Sequence, residues 1–296
     1  MRAGPPARPA LVVSVGRNAV WIAFDDEHRI RPASLRKQGE RFALVPGDRV
    51  AAQPLDDEWV VVESREDRAF ALVRKTAGGR TKTMAANVDT VAIVAALERP
   101  PLHLPMVDEL LAFAEIHGLR AVLALTKPDL AEPRRIADVC ATYEALGYDI
   151  VVVNPKAGDG VDRMATALAA RHALLIGQSG VGKSSLFRAL GGDAVIGEVS
   201  KIGRGRQTTT SSRLLRIDGG FLIDSPGVGE FELHDTPHSE VAYGFVEIRA
   251  LAGTCRFSDC THRVEPDCAV RAAVEHGEIA RSRYESYAGI VARAQS

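Results

Sequence analysis

The sequence predicts a multidomain chain with an N-terminal β-barrel, a central α/β domain and a C-terminal helical segment. Three observations predict it. Short β-rich runs crowd the first 73 residues, strands and helices alternate from about 86 to 230, and three cysteines and a histidine fall between 255 and 268. A length of 296 residues allows roughly two cores. The composition, 46% hydrophobic and 25% charged, is that of a globular protein. A net charge of −1 excludes a globally basic nucleic-acid binder and leaves room for local basic patches. The apolar run Leu11–Val13 is too short for a secretory leader, and no stretch approaches the ~20 apolar residues of a membrane helix. A cytoplasmic, monomeric protein with no membrane partner is expected, its four cysteines free of disulfides.

In residues 1–73, "LVVSV", "AVWIAF", "ERFALV", "DRVAAQ" and "EWVVVES" read as five strands, punctuated by Gly16, Asp25–Asp26, Pro46–Gly47 and Pro54. Five strands in so few residues suit an OB-like barrel, and an SH3-like barrel fits nearly as well. A basic, flexible link spans 74–85 and carries Arg74, Lys75, Arg80 and Lys82. It is either a solvated connector or a grip on nucleic-acid phosphates.

From 86 to 230 the period changes. "TVAIVAAL", "RAVLALT", "YDIVVV" and "HALLIG" read as buried strands. Between them, "PMVDELLAFAEIHG", "EPRRIADVCATYEALG" and "GVDRMATALAA" have helical spacing, the first opened by Pro105 and closed by Gly118. Such alternation means a mostly parallel sheet. Cys140, within the second helix, reads as a core residue.

The strand "HALLIG" runs into Gly177-x4-Gly182-Lys183-Ser184, the pattern of a phosphate-binding loop. Glycines at 177 and 182 allow backbone conformations and close approaches that a Cβ obstructs. The expected phosphate-binding residues are Gly177, Gln178, Ser179, Gly180, Val181, Gly182, Lys183, Ser184 and Ser185. Lys183 reaches the β- and γ-phosphates, and the Ser184 hydroxyl ligates Mg²⁺. In "FLIDSPGVG", Asp224 stands at a strand end as a second Mg²⁺-side carboxylate, and Gly227 offers its N–H to the γ-phosphate. "GRGRQTTTSS" lies between them as a switch-like loop, with Thr210 as a further Mg²⁺ ligand among Thr208–Thr210.

The base reader lies upstream. "LALTKPDL" places Thr126, Lys127 and Asp129 at a strand end, as the N-K-x-D element of GTPases does. Asp129 can accept from guanine N1–H and the exocyclic amine, while the Lys127 stem covers a base face. Adenine would leave Asp129 unpaired. The order is therefore base reader, phosphate loop, D-x-P-G, whereas an ordinary GTPase has the base reader last. A sheet can be assembled with its chain cut elsewhere. The α/β domain is a circularly permuted GTPase domain that binds GTP and GDP.

In residues 231–296, Cys255, Cys260, His262 and Cys268 offer three thiolates and an imidazole, the closed donor set of a structural Zn²⁺ site.

These features together resemble the circularly permuted small-ribosomal-subunit biogenesis GTPases, the RsgA or YjeQ family. The resemblance covers nearly the whole chain, through "NVDTVAIVAAL", "GQSGVGKSSL", "GRGRQTTTSS", "DSPGVGEFEL" and "CRFSDCTHRVEPDCAV". It implies an OB barrel, a permuted GTPase domain and a zinc domain. It also implies GTP hydrolysis stimulated by the small ribosomal subunit during its late maturation, with rRNA contacts from the barrel and zinc domain. A nucleotide-gated RNA-binding module with incidental turnover is the alternative. Three positions depart from the family: Thr126 replaces Asn, with loss of an amide contact to the base or the phosphate loop; Asn154–Pro155–Lys156 replaces a Ser-Ala-Lys-like loop; and Gln207 replaces His before the threonine run. The position after Gly227 is Val228, which cannot orient water, so Gln207 or the partner must do so.

Overall fold

The computed structural model describes residues 5–16, 20–27, 29–35, 43–75, 81–193, 213–224, 233 and 236–294. Strands β1 (Arg8–Val15), β2 (Val20–Phe24), β3 (Ile30–Leu35), β4 (Arg49–Pro54) and β5 (Val60–Arg65) are followed by β6 (Ala71–Lys75) and β7 (Thr81–Ala86). Then β8 (Thr90–Ala96), α1 (Leu104–Ile116), β9 (Arg120–Thr126), α2 (Pro133–Glu144), β10 (Asp149–Val153) and α3 (Val161–Leu168) alternate. β11 (His172–Ile176) leads to the short α4 (Lys183–Phe187), and then come β12 (Arg213–Ile217) and β13 (Gly220–Asp224). The last described helices are α5 (His238–Gly244), α6 (Val246–Ala252), α7 (Ala269–Glu275) and α8 (Arg281–Ala294). The chain forms two compact units. One contains Met1–Asp89, Leu168–Leu175 and Lys183–Val228; the other contains Thr90–Ala167, Ile176–Gly182 and Gly229–Ser296.

In the first unit the five N-terminal strands close a barrel. β1 pairs with β2 and β4, β2 with β3, and β4 with β5, all antiparallel, while β3 pairs parallel with β5. The circuit 1-2-3-5-4-1 has no free edge and is OB-like, so the parallel pair decides against the SH3-like alternative. Every second residue points inward: Ala10, Val12, Ile22, Phe24, Val50, Ala52, Val60 and Val62 are fully buried. The third strand differs from the expected one. It is Ile30–Leu35, whose internal Pro32 disguises it, whereas Ala43–Val45, the described part of "ERFALV", is not a strand. Leu44 instead packs into the barrel core, and the Val45 N–H is taken by the buried Asp48 carboxylate at 2.8 Å.

Ser14 of β1 stands opposite Arg213, and Arg216 donates to the carbonyl oxygens of Ala23 at 3.2 Å and Phe24 at 2.9 Å. The barrel thereby covers the edge of β12, which runs antiparallel to β13, itself parallel to β11. The segment expected as a flexible basic link is ordered in its described parts: Ala71–Lys75 pairs antiparallel with Thr81–Ala86. Basic side chains signal solvent exposure and not flexibility, and the cross-strand pair Leu72 and Ala85 is buried on one face of the hairpin. Arg80 lies outside the described residues.

In the second unit β10, β9 and β8 are parallel neighbours. Their near-continuous apolar runs follow from cover on both faces, and Val91 through Leu97 are all buried. α1 starts where the His103 Nδ1 accepts from the Met106 N–H at 3.2 Å, and it ends at Gly118, whose φ is +64°. Its residues Val107, Leu110, Leu111 and Ala114 are buried. A Cβ on Gly244 of α5 would lie 2.8 Å from the Ala112 oxygen, so glycine permits this close approach to α1. α8 is held to α1 by charge: the buried Arg283 guanidinium bonds Asp108 at 2.8 Å and Glu247 at 2.7 and 3.1 Å. Cys140 is half-buried on α2. No described helix is long and apolar enough to cross a membrane.

Candidate functional site

In the second unit, β9 ends at Thr126, whose hydroxyl is buried. Thr126 Oγ1 donates to the Val181 oxygen at 2.5 Å and lies 3.3 Å from the Ala95 oxygen. A hydroxyl thus grips the loop where an amide was expected to be missed: the shorter side chain suffices because the loop is this close. Lys127 follows with φ +57°, and its Nζ donates to the Gly180 oxygen at 2.8 Å and also to the Arg99 oxygen. Asp129 lies in the single turn Pro128–Leu130, and its Oδ1 accepts from the Asn154 amide at 3.0 Å. Asn154 therefore orients the carboxylate. Its own Oδ1 accepts from the Lys156 N–H at 3.2 Å and the Ala157 N–H at 3.4 Å, and Pro155 has no N–H to offer.

Gln178–Gly182 form the turn after β11. At Gly177 φ is +141° and a Cβ would lie 2.1 Å from the Val94 oxygen, so only glycine fits. Gly180 and Gly182 also have positive φ, while Val181 is buried beneath the loop. The expected base reader lies some 50 residues before this loop, yet two loop carbonyls, Gly180 and Val181, are held by Lys127 and Thr126.

In the first unit, α4 opens with Lys183, Ser184 and Ser185, in direct continuation of Gly182. Ser184 Oγ donates to Asp224 Oδ2 at 3.2 Å. Burial pushes the Asp224 carboxyl above its ordinary range, opposed by the Ser184 hydrogen bond and by Lys183. Burial likewise pulls the Lys183 ammonium below its ordinary value, opposed by Asp224. Two desolvated opposite charges, Lys183 at the start of α4 and Asp224 at the end of β13, suit a ligand that brings its own: a phosphate for Lys183 and a divalent cation for Ser184 and Asp224. Gln207, Thr208–Thr210, Gly227 and Val228 lie outside the described residues.

The second unit also carries the Cys/His cluster. One donor atom from each of Cys255, Cys260, His262 and Cys268 falls within 4.8 Å of all the others. The separations are 3.4 Å from Cys255 Sγ to His262 Nδ1, 3.6 Å from Cys268 Sγ to His262 Nδ1 and 3.9 Å between the two sulfurs. A tetrahedral metal bound at Zn–S and Zn–N lengths has edges of roughly 3.5–3.8 Å, so the donors fit one ion. Burial pushes the Cys260 thiol up to about 12, so a thiolate there needs a cation beside it. The ligand loop is held from behind. The Tyr284 and Tyr287 hydroxyls donate to the His262 and Thr261 oxygens, each at 2.9 Å, and Glu265 accepts from the Thr261 hydroxyl at 2.6 Å. These supports and the Asn154–Asp129 bond escape sequence reading, since nothing in local spacing marks them.

Comparison with known proteins matches this architecture. The family model described as RsgA GTPase matches residues 65–234. The "Small ribosomal subunit biogenesis GTPase RsgA" of Azotobacter vinelandii is 40% identical over 98% of this chain and 86% of its own length. The protein of the same name from Chromohalobacter salexigens is 38% identical over 97% of this chain and 86% of its own. The crystal structure of YjeQ from Thermotoga maritima superposes with a TM-score of 0.77 at 31% identity, covering 98% of this chain and 99% of that one. YloQ, titled a circularly permuted GTPase, shares the fold with a TM-score of 0.75 at 24% identity, over 100% of this chain and 97% of its own. Thr126 and Lys127 hold the turn that follows them by some 50 residues, the order expected of a permuted GTPase, and with relatives of this identity over nearly its full length the chain belongs to the RsgA GTPase family.

Proposed function

We propose that this GTPase acts in the cytoplasm, as a monomer, in late maturation of the small (30S) ribosomal subunit. It hydrolyses GTP to GDP and phosphate, is stimulated by the subunit, and takes rRNA contacts through its barrel and its zinc-bearing segment. The hold of Thr126 and Lys127 on the Gly180 and Val181 carbonyls carries the nucleotide reading, because it supports a base-side element next to a phosphate-side loop. The names of the relatives support the subunit as partner.

In this reading Asp129 pairs with guanine N1–H and its amine, oriented by Asn154. The N–H groups of Gly177–Ser185 and the Lys183 ammonium bind the phosphates. Ser184, Asp224 and Thr210 hold Mg²⁺, which when bound neutralises charge developing on the phosphates. The Gly227 N–H meets the γ-phosphate, and Gln207 orients the attacking water. Val228 cannot do so, which makes intrinsic turnover slow and leaves the subunit to order Gln207. Cys255, Cys260, His262 and Cys268 would hold Zn²⁺ as a structural ion, since four protein donors within 4.8 Å of one another would leave no coordination position open for chemistry.

The deciding experiment is multiple-turnover GTP hydrolysis with and without purified small subunits. Stimulation supports the assembly role; subunit binding that depends on nucleotide without stimulated turnover would leave a nucleotide-gated RNA-binding module. In the same assay Gln207→Ala is expected to keep GTP and subunit affinity and to lower stimulated kcat by ~10²-fold. A normal stimulated rate removes Gln207 from the mechanism.

Two further outcomes follow from the geometry. Thr126→Val keeps the shape but leaves the Val181 oxygen without its 2.5 Å donor, and an unpaired buried group costs about 1–3 kcal/mol. GTP and GDP affinity should fall together by about tenfold, read by fluorescent-nucleotide titration; unchanged affinity would show the bond to be dispensable. Cys260→Ser should abolish the single zinc per chain found by elemental analysis and weaken subunit binding, while nucleotide binding persists. Wild-type protein purified metal-replete without stoichiometric zinc would refute the assignment.

A further inference from the structure

Arg213 opens β12 at a place fixed from both sides. On one flank it stands opposite the fully buried Ser14 of β1, and on the other opposite Asp224, the last residue of β13. Residues directly opposite in an antiparallel ladder project from the same face, with Cβ atoms about 5 Å apart. The Asp224 side chain leaves that face toward α4, where its Oδ2 accepts from the Ser184 hydroxyl at 3.2 Å. Pairing with two strands therefore holds the root of the Arg213 side chain beside this carboxylate, on the same side of the sheet.

Three cations act on Asp224: Lys183, Arg213 and Arg188 each favour its ionised form against burial. Two of them have other work. Lys183 is the expected phosphate ligand, and Arg188 reaches Asp193 at 3.7 Å. Arg213 lies outside the phosphate-loop, base-reader and zinc motifs. A cation fixed beside a metal-side carboxylate has a definite consequence. It balances the carboxylate while no metal is bound, and it repels a divalent ion that arrives.

We infer that Arg213 is the counter-charge that Mg²⁺ displaces at Asp224, and that it thereby sets how tightly the nucleotide-bound protein holds the ion. The inference rests on the reading that Ser184 and Asp224 take the Mg²⁺ of the nucleotide. One positive charge about 7 Å from a divalent ion, in largely aqueous surroundings, changes its binding constant by about tenfold.

The test titrates labelled GDP with the full chain by fluorescence, in EDTA and over a range of Mg²⁺ concentrations. The gain in GDP affinity between EDTA and saturating Mg²⁺ reads metal affinity without hydrolysis. Arg213→Gln is expected to raise that gain by about tenfold over wild type. Arg213→Lys keeps the charge and should stay close to wild type. Arg213→Met, neutral and of similar length, reads the same contrast if the glutamine variant is too unstable to assay. An unchanged or smaller gain in the neutral variants overturns the inference, as does a lysine variant that behaves like glutamine. An equal fall in GDP affinity with and without Mg²⁺ would make Arg213 a phosphate ligand instead, which also overturns it. Ser184→Ala and Asp224→Asn separate the two layers. If they weaken Mg²⁺ while the neutral Arg213 variants do not tighten it, the inference alone fails. If they leave Mg²⁺ affinity unchanged, the metal reading fails and takes the inference with it.

Discussion

Asp129→Asn is expected to lower GTP affinity by ~10⁴-fold and to move the preference of the protein to xanthosine triphosphate. In the proposed reading the carboxylate accepts from two guanine donors at once. An asparagine amide in its place presents one acceptor and one donor, and the donor faces the guanine amine. Xanthine carries a carbonyl at that position and restores the pairing. The structure adds a reason for so large an effect: Asp129 Oδ1 is held by the Asn154 amide at 3.0 Å, so the carboxylate cannot turn to soften the mismatch. Competition between GTP and xanthosine triphosphate for a labelled nucleotide measures the switch. GTP affinity that survives the substitution would remove Asp129 from the base site.

Arg283→Ala is expected to destabilise the protein by about 3–5 kcal/mol, the scale of a buried ion pair that loses one partner. Arg283 is 1% exposed, and its side chain contacts Asp108, which is fully buried, and Glu247. Asp108 Oδ1 also accepts from the Tyr143 hydroxyl at 2.7 Å, while its Oδ2 has no hydrogen-bond partner among the described residues. Without the guanidinium, the Asp108 charge keeps a single neutral donor. The ring of Phe245, 4.5 Å from the guanidinium carbon, also loses its packing partner. Urea unfolding followed by circular dichroism measures the loss, and a change below about 1 kcal/mol would show that water replaces the arginine at little cost.

The fold class was legible in the sequence wherever the signal is local. Hydrophobic periods of two and of 3.6 separate the barrel from the α/β region because they follow from backbone geometry alone. The glycine pattern of the expected phosphate loop was legible because Gly177, where a Cβ would lie 2.1 Å from the Val94 oxygen, and Gly182, at φ +107°, stand at fixed spacing. Even the permutation was readable, from the sequence order of the three motifs. The third barrel strand was misplaced because Pro32 lowers the strand signal of Ile30–Leu35, while Leu44 of the apolar run packs into the barrel core without joining its ladder.

What the sequence by itself determined, then, is the fold class, the motif order and the donor set of Cys255, Cys260, His262 and Cys268, all carried by neighbours in the chain. Only the tertiary structure decided which distant groups meet. Thr126 reaches a carbonyl 55 residues away, Asn154 orients Asp129 across 25, and Arg283 neutralises Asp108 across 175. Aspartates and arginines are common in any sequence, and their pairing depends on which helix faces come together. That is settled by burial of the apolar stripes around them, because the charge pair follows the packing and does not direct it.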